Sequence, residues 1–150
     1  MIKHCILAIT LFFTFLNIAY AENNLTSPLG EWITISDKTH DRSGVVKLYE
    51  ENGKLYGKVI KIFPGSGRNP DELCTQCTGE FKNKPVLGLV FLWDFAKQSD
   101  GTWKEGKVLD PKEGKIYSGS ITLIDGGKKL ELRGYWGPFW RTQTWIRAKD

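Results

Sequence analysis

The segment Leu130-Glu-Leu-Arg-Gly-Tyr-Trp-Gly-Pro-Phe-Trp-Arg-Thr-Gln-Thr-Trp-Ile-Arg147 constrains the fold more than any other stretch of the chain. It carries three of the six tryptophans and three arginines, and it folds in half at Gly137-Pro138. Period-two alternation puts Phe139, Arg141, Gln143, Trp145 and Arg147 on one face of the second half. Trp140, Thr142, Thr144 and Ile146 fall on the other. A last strand with this much aromatic surface closes something. Its expected partner is the first strand-like stretch, around Gly30-Glu-Trp32.

Between these ends the chain reads as strands joined by tight turns. Residues 28–36, 45–50, 55–63, 89–98, 102–109 and 116–124 have strand character, and with the closing hairpin the count is eight. Asn52-Gly53 signals a type I′ hairpin turn, because both residues tolerate positive φ. Asp110-Pro-Lys-Glu-Gly114 fits a type I turn with a left-handed exit. Asp100-Gly101 and Asp125-Gly126-Gly127 mark two more turns. Glycines at 57, 106, 119 and 134 interrupt the strands and permit the sharp coiling of a barrel wall. The expectation is an all-β, eight-stranded antiparallel up-and-down barrel, with a two-sheet sandwich as the alternative.

Residues 64–88 form one long loop. Asn69-Pro70-Asp71-Glu72 reads there as the start of a short helix, with a side-chain cap, proline at the first position and acids in the first turn. Gly79 would end it. The same loop carries the Cys-x-x-Cys of Cys74 and Cys77. A zinc site needs about four ligands, and only His40 stands beside these cysteines in the mature chain, so no metal is expected. A redox centre wants its first cysteine at a helix N-terminus. Cys74 falls past the first turn, which leaves a structural disulfide as the expectation.

The disulfide presupposes export. Lys3 and His4 precede an apolar run from Ile6 to Ile18, and Ala19-Tyr20-Ala21 is an A-x-A cleavage site. The run is too short to span a bilayer. The expected arrangement is a cleaved signal peptide over 1–21 and one barrel domain over 22–150, exported to the periplasm or beyond, with no transmembrane segment after cleavage. Losing Lys3 lowers the net charge from +4 to about +3, a mild excess spread over scattered lysines. Export and that weak charge argue against nucleic acid as a partner.

No catalytic constellation is recognisable. No nucleophile elbow, metalloprotease helix or phosphate loop is present. Asp94, Glu105 and Asp110 are the carboxylates that a fold could bring together, although Glu105 reads as a wet strand face and Asp110 as a turn cap. No cofactor is expected. The candidate ligand-binding residues are Trp93, Tyr117 and Trp145 as apolar surface, with Arg141 and Gln143 as polar handles. If that face of the last strand points inward, Arg141 needs a partner. An anionic head group or an internal acid such as Asp94 would serve.

Several pieces resemble a family of small secreted bacterial proteins, DUF2147. They are Gly30-Glu-Trp32, Asn52-Gly-Lys-Leu-Tyr-Gly57, the Cys74-x-x-Cys77 loop, Leu109-Asp-Pro-x-x-Gly-Lys-x-Tyr117, Leu132-Arg-Gly-Tyr135 and Arg141-Thr-Gln-Thr-Trp-Ile-Arg147. The resemblance covers nearly the whole mature chain and implies a lipocalin-like barrel and an exported location, with no established activity. Trp32 and Arg147 also resemble the lipocalin pair of a first-strand tryptophan under a last-strand arginine, which implies that they plug the barrel base. The leading expectation is a barrel that binds a small amphipathic or anionic ligand in its lumen. A filled barrel acting on an envelope protein partner through the 64–88 loop comes second, and a periplasmic enzyme third.

Overall fold

The computed structural model describes residues 25–65 and 67–149; the signal segment expected over 1–21 lies outside the described residues. Eight strands follow in order: β1 (Gly30–Ile35), β2 (Arg42–Glu51), β3 (Lys54–Ile62), β4 (Val90–Lys97), β5 (Trp103–Asp110), β6 (Lys115–Ile124), β7 (Lys129–Trp136) and β8 (Phe139–Arg147). Each pairs antiparallel with the next, and β8 returns to β1, closing the barrel. Closure sets Trp32 opposite Arg147 and Ile33 opposite Ile146.

The turns form for the reasons the sequence gives. Asn52 and Gly53 both have positive φ, 50° and 74°, as a type I′ turn requires. The Asp110 carboxylate accepts from the Lys112 amide at 2.9 Å, and the Gly114 amide donates to the Asp110 carbonyl at 2.7 Å. β2 begins earlier than expected, at Arg42, because Thr34 and Ser43 bond through their hydroxyls at 2.8 Å across the β1–β2 pair. The long loop differs more. Asn69 caps a single turn, its side-chain oxygen accepting from the Asp71 amide at 3.0 Å. Leu73 then bridges to Pro85, and the loop's helical turn is a 3₁₀ turn at Gly79–Phe81. Pairing with the returning half of the loop outweighs the local helix signal.

Inward-facing residues fill the lower half of the barrel. Trp32, Leu48, Leu55, Leu92, Phe95, Ile121, Leu130 and Trp145 are all buried. Phe95 lies against walls stripped of side chains: a Cβ at Gly106 would run into its ring, and one at Gly119 would lie 3.0 Å from it. Those strand glycines are therefore the space into which the central aromatic fits. Arg147 sits over the Trp32 ring, 4.3 Å from its centroid. Its guanidinium donates to the carbonyls of Gly127 and Ser27, both at 2.8 Å, and of Leu29 at 3.3 Å. The Trp32 indole donates in turn to the Pro28 carbonyl at 2.8 Å. This end is sealed.

Candidate functional site: the open end of the barrel

The other end is open. Four connections surround it: the β1–β2 loop, the long β3–β4 loop, the β5–β6 turn and the β7–β8 turn. They enclose a cup of about 1000 Å³ whose lining includes Asp37, Leu132, Tyr117, Trp136, Arg141 and Gln143. Ligand sites commonly have this size, with apolar walls and a few placed polar groups.

Each rim element is held by identifiable bonds. The β1–β2 loop is pinned by the Ser36 amide donating to the Asp41 carbonyl at 2.8 Å and the His40 amide to the Ser36 carbonyl at 2.9 Å. That fixes Asp37 at the rim. Cys74 and Cys77 lie at disulfide distance, Cα atoms 5.3 Å apart, and both are buried. Their loop docks on the β5–β6 turn, with the Cys74 sulfur 3.6 Å from the Pro111 carbonyl. A Cβ at Gly114 would collide with the Gln76 carbonyl, and Gly114 also has φ +68°, so glycine is required there twice over.

The polar cluster in the cup grows from the inward face of β8. The Arg141 guanidinium donates to Asp37 Oδ2, and the Gln143 amide donates to the same oxygen at 3.1 Å. Trp145 Nε1 donates to Gln143 Oε1 at 3.2 Å. Arg141 also faces Asp110 at 3.9 Å. Trp145 thereby fixes which way the Gln143 amide points. On the wall, the Tyr117 hydroxyl donates to Glu113 Oε2 at 2.7 Å. That bond, with lesser help from burial, pushes the phenol up to about 12. The same hydroxyl, and Lys115 after it, hold the Glu113 carboxyl below its ordinary range.

Of the residues singled out in the sequence, Arg141, Gln143 and Tyr117 line the cup. Trp145 lies beneath Gln143, fully buried, and tilts against Phe91 with centroids 6.2 Å apart. Trp93 is elsewhere, stacked on Phe81 of the long loop at 5.6 Å. The acid facing Arg141 is Asp37 rather than Asp94, whose carboxylate accepts from the Tyr56 hydroxyl at 3.0 Å. Asp37 is 104 residues from Arg141, yet the closing pair contains the clue. Five residues on from Trp32 is Asp37, and five back from Arg147 is Thr142, next to Arg141. Glu105 lines a shallow cleft with Lys107 and Tyr135, away from the cup. Asp110 caps its turn.

A comparison with curated proteins gave no match. Among solved structures the chain is similar to protein HP1028 from Helicobacter pylori, described as belonging to the lipocalin family. The two are 26% identical, with a TM-score of 0.70 over 83% of this chain and 84% of that one. That likeness agrees with the closed eight-stranded antiparallel barrel. The sequence itself matches the family described as uncharacterized protein conserved in bacteria, DUF2147, over residues 30–147, and the chain belongs to that family.

Proposed function

We propose that this protein is an exported, lipocalin-like binding protein that holds a small amphipathic or anionic molecule in the cup at its open end. One observation carries the reading. The barrel is filled below Trp145 and Leu132 but open above them, and the open part combines apolar walls with the Asp37–Arg141–Gln143 cluster. A barrel filled throughout would favour a protein-interaction module working through the 64–88 loop instead. Arg141 would meet an acidic head group by exchanging Asp37 for it, or Asp37 would accept from a hydroxyl or amine. Leu132, Val108 and Trp136 would cover the apolar part. The reading is of a binder rather than an enzyme, since Asp94 and Asp110 are engaged by Tyr56 and by a turn.

The test is extraction. Protein recovered from its native export compartment should release a small molecule on denaturation, seen by untargeted mass spectrometry. Adding that molecule to stripped protein should alter tryptophan emission, because Trp136 lines the cup. Empty extracts, together with no emission change on adding amphipathic acids, would sink the proposal.

A further inference from the structure

The large apolar side chains left in solvent are unevenly distributed. Leu73, Leu87, Ile116, Trp136, Phe139 and Trp140 are 45–60% exposed, and connections or strand ends at the open end carry all of them. The turns at the sealed end are polar: Asn52-Gly53, Asp100-Gly101 and Asp125-Gly126-Gly127. Nearer that end, Leu29 and Ile146 are only 38% and 37% exposed.

The concentration is greatest at the β7–β8 tip. From Gly134 to Trp140 the chain carries no charge, and Arg133 and Arg141 bound it. Trp136 contacts Phe139 at 5.7 Å and Tyr117 at 5.6 Å, so one side of the tip is a continuous aromatic surface. Trp140 faces the other way, across from Tyr135. Trp136 and Tyr117 belong to the cup wall, whereas Phe139 and Trp140, both 60% exposed, project from the tip outside it, with no concavity to receive a ligand. A protein partner would need a matching pocket, whereas a lipid surface yields to a convex wedge. Indole rings favour the bilayer interface, with an apolar body and a polar N–H. Lys112 and Lys115, exposed on the adjoining rim, would stand at the level of lipid phosphates.

We propose that the open end docks on the surface of a bilayer containing anionic lipid. Trp136, Phe139 and Trp140 enter the interface, and Lys112 and Lys115 contact head groups. The docking shares Trp136, Lys112 and Lys115 with the cup's rim, but Phe139 and Trp140 lie outside the cup's lining and the docking needs no ligand within.

Co-sedimentation tests it, using vesicles of phosphatidylethanolamine with phosphatidylglycerol and, separately, of phosphatidylcholine. The protein should bind the anionic vesicles. Phe139→Ser with Trp140→Ser should weaken binding about tenfold or more, from the apolar area no longer withdrawn from water. Both side chains are 60% exposed, so this variant keeps its fold, which near-ultraviolet circular dichroism checks. Lys112→Gln with Lys115→Gln should cost about fivefold per lysine, on the anionic vesicles only. Ile60→Ser, on the barrel wall, should change nothing. No sedimentation with either vesicle, or undiminished binding by the aromatic variant, overturns the proposal. A dimer seen without vesicles and lost in that variant would assign the tip to a second copy and overturn it as well.

Discussion

Two arginines on one face of one strand divide this barrel. Arg147 and Arg141 both project inward from β8, six residues apart, and both approach the β1 side of the barrel. Arg147 lies over the Trp32 indole and donates to backbone carbonyls of neighbouring segments. Those acceptors are neutral and fixed by the backbone, so the pair works as a plug. Arg141 meets the side chain of Asp37, with the two side chains 53% and 38% exposed. A carboxylate at the rim of an open cup can turn away or be replaced. The same residue type therefore seals one end and leaves a poised charge at the other, and what decides is the partner's freedom to move.

The sharpest way to break the comparison is to truncate an aromatic at each end. Trp32→Ala should cost about 3–5 kcal/mol in a denaturant melt, since it empties a fully buried site and leaves Arg147 without its ring. Trp136→Ala should cost about 1 kcal/mol or less, because that ring is already 51% exposed. Equal losses would mean that the open end is packed like the base.

Next in size is the cross-link. Replacing Cys74 and Cys77 with alanine should cost about 2 kcal/mol by loop entropy. Alanine is preferable to serine here because both sites are buried and a hydroxyl would lack partners. Amide hydrogen exchange should quicken in the 64–88 loop and at the β5–β6 turn on which it rests, while β1 and β8 stay protected. Faster exchange across the whole barrel would show that the loop supports the base too.

The sealed end was far more legible in the sequence than the open one. That the last strand returns to Gly30-Glu-Trp32 is read from its aromatic surface and the need to close a barrel. The Trp32–Arg147 plug is what the lipocalin resemblance implies, and the hairpin turns follow from backbone preferences of Asn, Asp and Gly. The cup depends on what separate connections do when they meet. Asp37 gives no local signal of its partner, because a polar turn of this kind commonly faces water alone. Trp93 shares a strand with inward-facing Phe95, but a bulge at Asp94, φ +61°, breaks simple alternation between them. The loop's short helical turn lies at Gly79–Phe81 and not directly after Asn69 for a related reason. Asn69 caps a single turn, and Leu73 and Pro85 then pair across the loop, which no local pattern reveals.

Arg141→Leu probes the poised charge. Had the guanidinium been deeply buried with a stranded carboxylate, its loss would cost several kcal/mol. At the observed exposure, solvent screens the pair, and the stability change should stay under about 1 kcal/mol. The effect belongs in binding: the emission response to the extracted ligand should weaken, more so for an acidic molecule than a neutral one. A loss of stability above about 3 kcal/mol would instead make Arg141 a second structural plug and erase the distinction from Arg147.

The smallest expected effect concerns Tyr117 and Glu113 on the cup wall, and it is read as a titration. The Tyr117 phenol is raised from 10.0 to about 12, mainly because its hydroxyl donates to the Glu113 carboxylate. A raised folded-state value means that this bond contributes fully below the ordinary phenol range and is lost as pH climbs through about 12. Glu113 is shifted the opposite way, so its share is present above the ordinary carboxylate range and fades as pH falls through the lowered value. Between those limits the wall keeps a neutral donor bonded to a charged acceptor. Near-ultraviolet absorbance of the native protein should show Tyr117 ionising near pH 12, identified by difference from Tyr117→Phe, and Glu113→Ala should bring it back towards 10. If the variant leaves that tyrosine unchanged, burial rather than Glu113 holds the proton. The wall would then be apolar where the structure makes it polar, with less to distinguish it from the filled base below.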